Sequence, residues 1–271
     1  MQPEELRKIS EGRDAEMFAW GEGTILRLLR DPGAQRQAQW EAAAMKAAGD
    51  RGVRVPVVHG LTTVRGRPGL VMERIAGPDL LTLVGRRPWM VFWIGRVSGE
   101  MQARLHAAKA STRMPALRDT LRQRIQSSDR VPEHLAEFAL GILEGLPDGD
   151  SLCHGDFHIG NIMMSGETPV VIDWTNATRG DAAADVARTR LLLRLGEPPP
   201  GTSTALRLLA RVGRTLLTSA YLRSYRRVWP LDMGLVSQWE IPIAAARLAA
   251  EAIAEEERPL LRLLEQRRGP A

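Results

Sequence analysis

The sequence predicts an α+β protein with two lobes: a small N-terminal lobe built on an antiparallel sheet with one helix, and a larger, mostly helical C-terminal lobe. Three observations carry this. Short apolar runs separated by turn-prone clusters fill the first 75 or so residues. The pattern changes after Gly77-Pro78, where apolar residues recur at helical spacing. The length, 271 residues, suits two lobes or two small domains and is ample to bury a core. We place the boundary between 76 and 77, giving lobes of 1–76 and 77–271.

In the first lobe, Leu6 to Ser10 and Met17 to Trp20 are strand candidates around the turn Glu11-Gly12-Arg13-Asp14. Gly21-Glu22-Gly23 turns the chain into a third strand, Thr24 to Leu29, which Asp31-Pro32-Gly33 ends. Ala34 to Ala48 consists of helix formers and stops at Gly49. Val53 to Val58 and Gly69 to Ile75 complete a five-stranded set.

In the second lobe, Met90, Trp93, Ile94, Val97, Met101 and Leu105 mark one face of a helix over Trp89 to Ala108. Residues 109–132 are polar and hold a short helix. Pro132 to Leu146 is helical, with Glu133 favourably near its N-terminus. Leu152 to His154 and Val170 to Asp173 are short strands bracketing a loop, and Asp181 to Leu195 is helical. After a Pro-rich linker, Glu197 to Ser203, three helices are expected: Thr204 to Tyr225, Met233 to Glu257 and Arg258 to Arg268.

Composition narrows the function. Hydrophobic residues make up 44% and charged residues 25%, ordinary values for a globular protein. The most apolar stretch, Trp89 to Ile94, is far shorter than a bilayer requires, and the start of the chain is charged, without a secretory signal. A single cysteine, Cys153, can neither form an internal disulfide nor build a zinc site. A cytoplasmic protein without a membrane partner is expected. The net charge of +5 comes from arginines scattered through every segment, the only lysines being Lys8, Lys46 and Lys109. No basic run or aromatic-spaced stripe suggests a nucleic-acid groove, so nucleic acid is not an expected partner.

Chemistry concentrates in His154-Gly155-Asp156-Phe157-His158-Ile159-Gly160-Asn161, followed by Val170-Val171-Ile172-Asp173-Trp174. Phosphoryl transfer needs a carboxylate to orient the attacking hydroxyl and oxygen ligands to hold Mg²⁺ against the phosphates. Magnesium takes a few protein oxygens and keeps several waters. A loop Asp, an Asn five residues on and an Asp leaving the next strand can supply such a set. Bland readings of the same residues are loop caps and braces, and His158 reads as a satisfied loop histidine.

The string His-x-Asp-x-x-x-x-Asn with apolar-apolar-Asp-Trp resembles the aminoglycoside phosphotransferase and choline kinase superfamily, relatives of protein kinases. Gly180-Asp181-Ala182-Ala183-Ala184-Asp185-Val186-Ala187 is similar to a second segment of that family, and Leu105-His106 matches its Leu-His helix end. The resemblance implies a bilobal protein-kinase-like fold and transfer of the γ-phosphoryl group of ATP, or GTP, to a hydroxyl of a small molecule: an aminoglycoside-, amino-sugar- or choline-like acceptor. It implies Asp156 as the catalytic-loop aspartate, Asn161 and Asp173 as Mg²⁺ ligands, and Asp185 as a brace for the loop. His154 is expected to tie the loop to the backbone at Asp173. On the nucleotide side, Arg27 stands where the family has a lysine on the third strand, and Glu41 where its glutamate partner lies on the following helix. Glu73 and Ile75 fall in the lobe-connecting segment, whose backbone (residues 72–76) would meet the adenine edge.

A cationic acceptor would need an acidic pocket, for which Asp181, Glu240, Glu251 and Glu255 are candidates. Two other readings stay open: a nucleotide-binding pseudokinase, suggested by the missing lysine, and a metal-dependent hydrolase built on His154, Asp156 and His158. A monomer or homodimer is expected.

Overall fold

A computed structural model describes residues 6–195, 204–251 and 254–269. The first seventy or so residues form a five-stranded antiparallel sheet in the order β1-β2-β3-β5-β4: β1 (Lys8–Glu11), β2 (Ala15–Gly21), β3 (Thr24–Leu29), β4 (Val58–Val64) and β5 (Arg67–Glu73). The β2–β3 turn uses Gly23 at φ +66°, and the two-residue β4–β5 turn uses Arg65 and Gly66 at φ +53° and +76°. Two successive left-handed residues match the twist of a tight hairpin, and glycine takes the second without a Cβ penalty. One helix, α1 (Gln35–Gly49), packs on the sheet through Ala38, Glu41, Ala44, Met45 and Ala48, an i, i+3, i+4 spacing.

Helices dominate the rest: α2 (Leu80–Arg86), α3 (Val91–His106), α4 (Leu117–Gln126), α5 (Glu133–Gly145), α6 (Ala182–Leu195), α7 (Thr204–Val228), α8 (Met233–Glu251) and α9 (Ala254–Arg268). Two small ribbons lie among them. β6 (Ser151–Cys153) pairs with β9 (Thr178–Gly180), and β7 (Ile162–Ser165) pairs with β8 (Thr168–Val171). The expected α+β class, with an antiparallel sheet first and helices after it, is what the chain adopts. Among the described residues no helix is long and apolar enough to cross a membrane.

Two local expectations are corrected, and the structure adds detail at two other places. Val53 to Val58 is not a strand; β4 begins at Val58. Val53 instead closes the end of α1, its N–H donating to Ala48 O at 3.1 Å, and Pro56 has no N–H for a ladder. Residues 80–86, which carry little periodicity, form α2 because the Asp79 carboxylate accepts from Thr82 N at 2.7 Å and caps the helix. The two strands expected to bracket the loop are present as β6 and β8, and each finds a partner, β9 and β7 respectively. The break expected after Glu257 comes earlier, since α8 ends at Glu251 and α9 starts at Ala254 and contains Pro259. Glu255, Glu256 and Glu257 then sit in the first turn of α9, where the helix dipole favours acidic groups. The expected linker Glu197 to Ser203 lies outside the described residues, apart from neighbouring α6 and α7.

The helical core is pinned by α3 against α7. An added Cβ at Gly95 or Gly99 would lie 2.8 Å from Leu217 O or 2.3 Å from Tyr221 O, so only glycine permits the approach. That approach brings Tyr221 and Tyr225, both fully buried, beside His106 and Gln102 on α3.

Candidate active site

The loop between β6 and β7 carries Asp156 and Asn161, and its shape is set from below by Asp185 on α6. Asp185 is buried and accepts four hydrogen bonds: from Gly155 N at 2.8 Å and His154 N at 3.1 Å, and from Gln102 Nε2 at 2.9 Å and His106 Nε2 at 3.0 Å. With Nε2–H of His106 given to the carboxylate, its Nδ1 accepts from the Tyr225 hydroxyl, 2.6 Å away. Burial alone would raise the Asp185 carboxyl, but the His106 and Gln102 hydrogen bonds outweigh it and lower the pKa to about 2. Gly155 bends the loop at φ +75°, and a Cβ there would stand 2.1 Å from Asn176 O. His154 is buried and neutral, its pKa lowered by burial, with Nε2 on the carbonyl of Ile172 at 3.0 Å. It therefore ties the loop to the peptide that leads into Asp173, one residue before the expected anchor.

These contacts aim the functional side chains. The Asn161 amide donates to Asp156 O at 3.0 Å and approaches Asp156 Oδ2 at 3.3 Å. Its nitrogen being so committed, Oδ1 is the atom it can offer a cation. Asp173 follows β8 in a left-handed conformation, φ +60°, with its side chain exposed to the cleft. For a non-glycine residue that conformation costs about 1 kcal/mol or more and is characteristic of functional sites. Asp156 itself lies between Arg188 Nη2, 3.0 Å from Oδ1, and His158 Nε2, 3.6 Å from Oδ2. Burial pushes its carboxyl up, but these two neighbours more than reverse that and hold it well below the usual carboxylate range.

On the sheet side, Arg27 on β3 and Glu41 on α1 are both buried and 3.3 Å apart. Arg27 Nη2 also donates to Thr175 Oγ1 at 2.6 Å, while its buried Nη1 has no partner in hydrogen-bond geometry. Burial raises the Glu41 carboxyl, and the Arg27 charge only partly opposes this. Glu73 spends its carboxylate on Arg54, at 2.5 and 2.6 Å, and on Val57 N. Its own N–H donates to Val57 O and that of Arg74 to Gly23 O, both at 2.9 Å.

A cavity of about 480 Å³ joins these groups: Arg27, Glu41, Glu73, Ile75, Asn161 and Asp173 all line it. Asp156 does not line it; it stands next to it through Asn161. The turn at Gly12 and Asp14 covers the cavity from the sheet side. Six residues singled out in the sequence thus line one cavity, with Asp156 beside it.

Three neighbours were missed: Arg188, Thr175 and the approach of His158 to Asp156. Arg188 had a legible signal, since it lies three residues after Asp185 and shares its helix face toward the loop. Thr175 had none, because its role depends on a fold-level meeting with Arg27. The suggested acidic pocket is not available as such. Glu240 is fully buried and held by Arg190, Arg194 and Arg267 at 3.2, 3.5 and 3.4 Å. Asp181 caps α6 through Ala183 N at 2.7 Å, Glu255 is exposed, and the Glu251 side chain lies outside the described ones. Among the described residues no group of three or more His, Cys, Asp or Glu side chains could hold a metal, so the hydrolase reading finds no ligand set.

Comparison with known proteins agrees with this architecture. Among solved structures, an amicoumacin kinase in complex with AMP-PNP and Ca²⁺ superposes with a TM-score of 0.66 at 14% identity, covering 97% of this chain and 87% of that one. A thermostable mutant of aminoglycoside phosphotransferase APH(4)-Ia, with ADP and hygromycin B, gives 0.65 at 16% identity, covering 98% and 95%. An aminoglycoside-3'-phosphotransferase of type VIII gives 0.60 at 20% identity, covering 88% and 93%. At these identities the likeness is one of fold. No curated protein matches the chain by sequence. The profile of one family does match, over residues 5–226, and on it the chain belongs to the phosphotransferase enzyme family.

Proposed function

We propose that the protein is a small-molecule kinase that moves the γ-phosphoryl group of ATP onto a hydroxyl group, working in the cleft between a nucleotide-binding lobe, residues 1–76, and a catalytic lobe, residues 77–271. The observation that carries this reading is the shared cavity: a buried cation, Arg27, and two oxygen ligands, Asn161 and Asp173, face one space, with an ionised aspartate at its edge.

Each residue has a role that follows from its contacts. Arg27, held by Glu41 through Nη1 and by Thr175 through Nη2, presents a permanent positive charge to phosphate oxygens in the cavity that it lines. In the connecting segment the N–H groups of Glu73 and Arg74 are already used, which leaves the Glu73 carbonyl and the Ile75 N–H to read the base edge. Asp173 and the Asn161 Oδ1 form a carboxylate-plus-amide oxygen pair of the kind magnesium accepts while keeping water. Bound there, Mg²⁺ would neutralise the phosphate charge. Asp156 orients the acceptor hydroxyl and takes its proton. Because Arg188 and His158 keep that carboxylate strongly acidic, its contribution is chiefly orientation, with proton transfer late in the reaction.

The acceptor is a small molecule with a free hydroxyl, of the aminoglycoside, amino-sugar or choline-like kind. The solved relatives include kinases for amicoumacin and for aminoglycosides. An ATP-consumption screen over aminoglycosides, amino sugars, choline and simple alcohols, with and without Mg²⁺, tests the reading. Asp156→Asn should lower turnover by about 10²–10⁴-fold with little change in nucleotide affinity. Near-full activity in that variant overturns the assignment. Nucleotide binding without consumption for any acceptor would favour the pseudokinase.

A further inference from the structure

Resting on the cleft reading above, we propose that Thr175 is a positioning residue: its hydroxyl joins the phosphate-side cation Arg27 to the metal-side carboxylate Asp173, so that the two meet a magnesium-bound triphosphate as one unit.

The hydrogen-bond bookkeeping admits one assignment. Thr175 Oγ1 lies 2.6 Å from Asp173 Oδ1 and 2.6 Å from Arg27 Nη2. A carboxylate cannot donate, so the single hydroxyl proton goes to Asp173. A guanidinium cannot accept, so the Arg27 N–H goes to the hydroxyl oxygen. Both bonds are charge-assisted and short. The backbone on either side is fixed, because Trp174 is 2% exposed and its indole N–H donates to Val171 O at 3.2 Å. Thr175 therefore has little freedom to turn away, and Asp173 is held in its left-handed conformation by a neighbour two residues on.

This arrangement explains how arginine can occupy the strand position at all. Its fork spans Glu41 with Nη1, at 3.3 Å, and Thr175 with Nη2. A lysine ammonium is a point charge on a flexible stem and cannot hold both directions in one plane. Arg27 and Thr175 are thus complementary: each is worth most with the other present.

The test is calorimetric binding of AMP-PNP with excess Mg²⁺, on the intact chain, to the wild type, Thr175→Val, Thr175→Ser, Arg27→Lys and the double variant Arg27→Lys/Thr175→Val. Valine keeps the shape and removes the hydroxyl, and should weaken binding about tenfold, the usual worth of a charge-assisted bond. Serine should stay within about twofold of wild type, a rescue that mere packing would not produce. In the Arg27→Lys background, adding Thr175→Val should cost less than about twofold, because the bridge is already broken. Should Thr175→Val fold poorly in a melting scan, Thr175→Ala serves in its place. The proposal is overturned if the valine or alanine variant binds as wild type, if serine fails to rescue, or if the two substitutions multiply. If the wild type itself binds no AMP-PNP, the cleft reading fails instead, so the two failures are distinguishable.

Discussion

Asp185→Asn is the perturbation from which the structure lets most be worked out. The wild-type carboxylate has Gly155 N on Oδ1 and three donors, His154 N, Gln102 Nε2 and His106 Nε2, on Oδ2. An asparagine has one acceptor oxygen and an NH₂ that can only donate. Its best placement keeps the oxygen toward the three donors and turns the NH₂ against the Gly155 N–H. That leaves two facing donor groups, the Gly155 N–H and the new NH₂, without acceptors at about 1–3 kcal/mol each, and strips charge assistance from the three other bonds. The expected loss is roughly 3–5 kcal/mol, the range for breaking a buried charged network. Urea denaturation followed by tryptophan fluorescence measures it, with the slope unchanged if the denatured state is unaffected. The same carboxyl makes an acid-stability signature. Its folded pKa, about 2, lies below the ordinary 3.8, so its stabilisation is complete above pH 4 and is lost as pH falls toward 2. That difference corresponds to about 2 kcal/mol. Wild type should therefore lose stability over that window, and Asp185→Asn should lose correspondingly less. A variant within about 1 kcal/mol of wild type, with the same acid profile, would refute the view that Asp185 shapes the catalytic loop.

Two further outcomes are expected. Gly99→Ala places a Cβ 2.3 Å from Tyr221 O and 2.9 Å from Tyr225 N, both backbone atoms of α7, so the two helices must part. We expect a loss of about 1–3 kcal/mol and a melting temperature lower by roughly 2–4 °C per kcal/mol; an unchanged melt would contradict the close packing. The Cys153 thiol is buried, and burial pushes its pKa well above the ordinary value, so a thiol reagent should label it at the rate of unfolding. Labelling within the mixing time of the native protein would show that the β6 strand is not where it is placed.

Most of the architecture and the heart of the site were legible because they rest on local signals. Glycine and aspartate clusters marked the sheet turns, and helical spacing marked α3. The run from His154 to Asp173 carried its chemistry in consecutive residues. What escaped had a different character. Helix α2 depended on one capping side chain, Asp79, in a segment with little periodicity. Residues 53–57 alternate as a strand would, yet neighbouring strands meet them only through isolated bonds at Arg54 O and Val57 O, and Pro56 lacks a donor. Pro259 invited a helix boundary, although a proline inside a helix can be accommodated at the cost of one bond. The pairings of Asp156 with Arg188 and of Thr175 with Arg27 join residues 32 and 148 positions apart. Only the place of Arg188, three residues after Asp185, hinted at the first pairing; nothing local hinted at the second.

The β7–β8 ribbon has a mechanical consequence. Met164 N, on β7, donates to Pro78 O at 2.8 Å, and Val171 N, on β8, donates to Arg54 O at 2.9 Å. A Cβ on Gly77 would lie 1.9 Å from Met164 O, so the crossing chain is pressed flat against that ribbon. The chain crossing at Gly77 and the bond from Val171 N to Arg54 O are two points where the lobes meet beside this ribbon, and rotation about the line through them is the cheapest relative motion they leave. Breathing of the cleft should thus resemble a door swinging on two pins. Its free edge is the turn around Arg13, whose guanidinium reaches the carbonyl of Ala250 at 3.5 Å, a contact that such a swing would stretch.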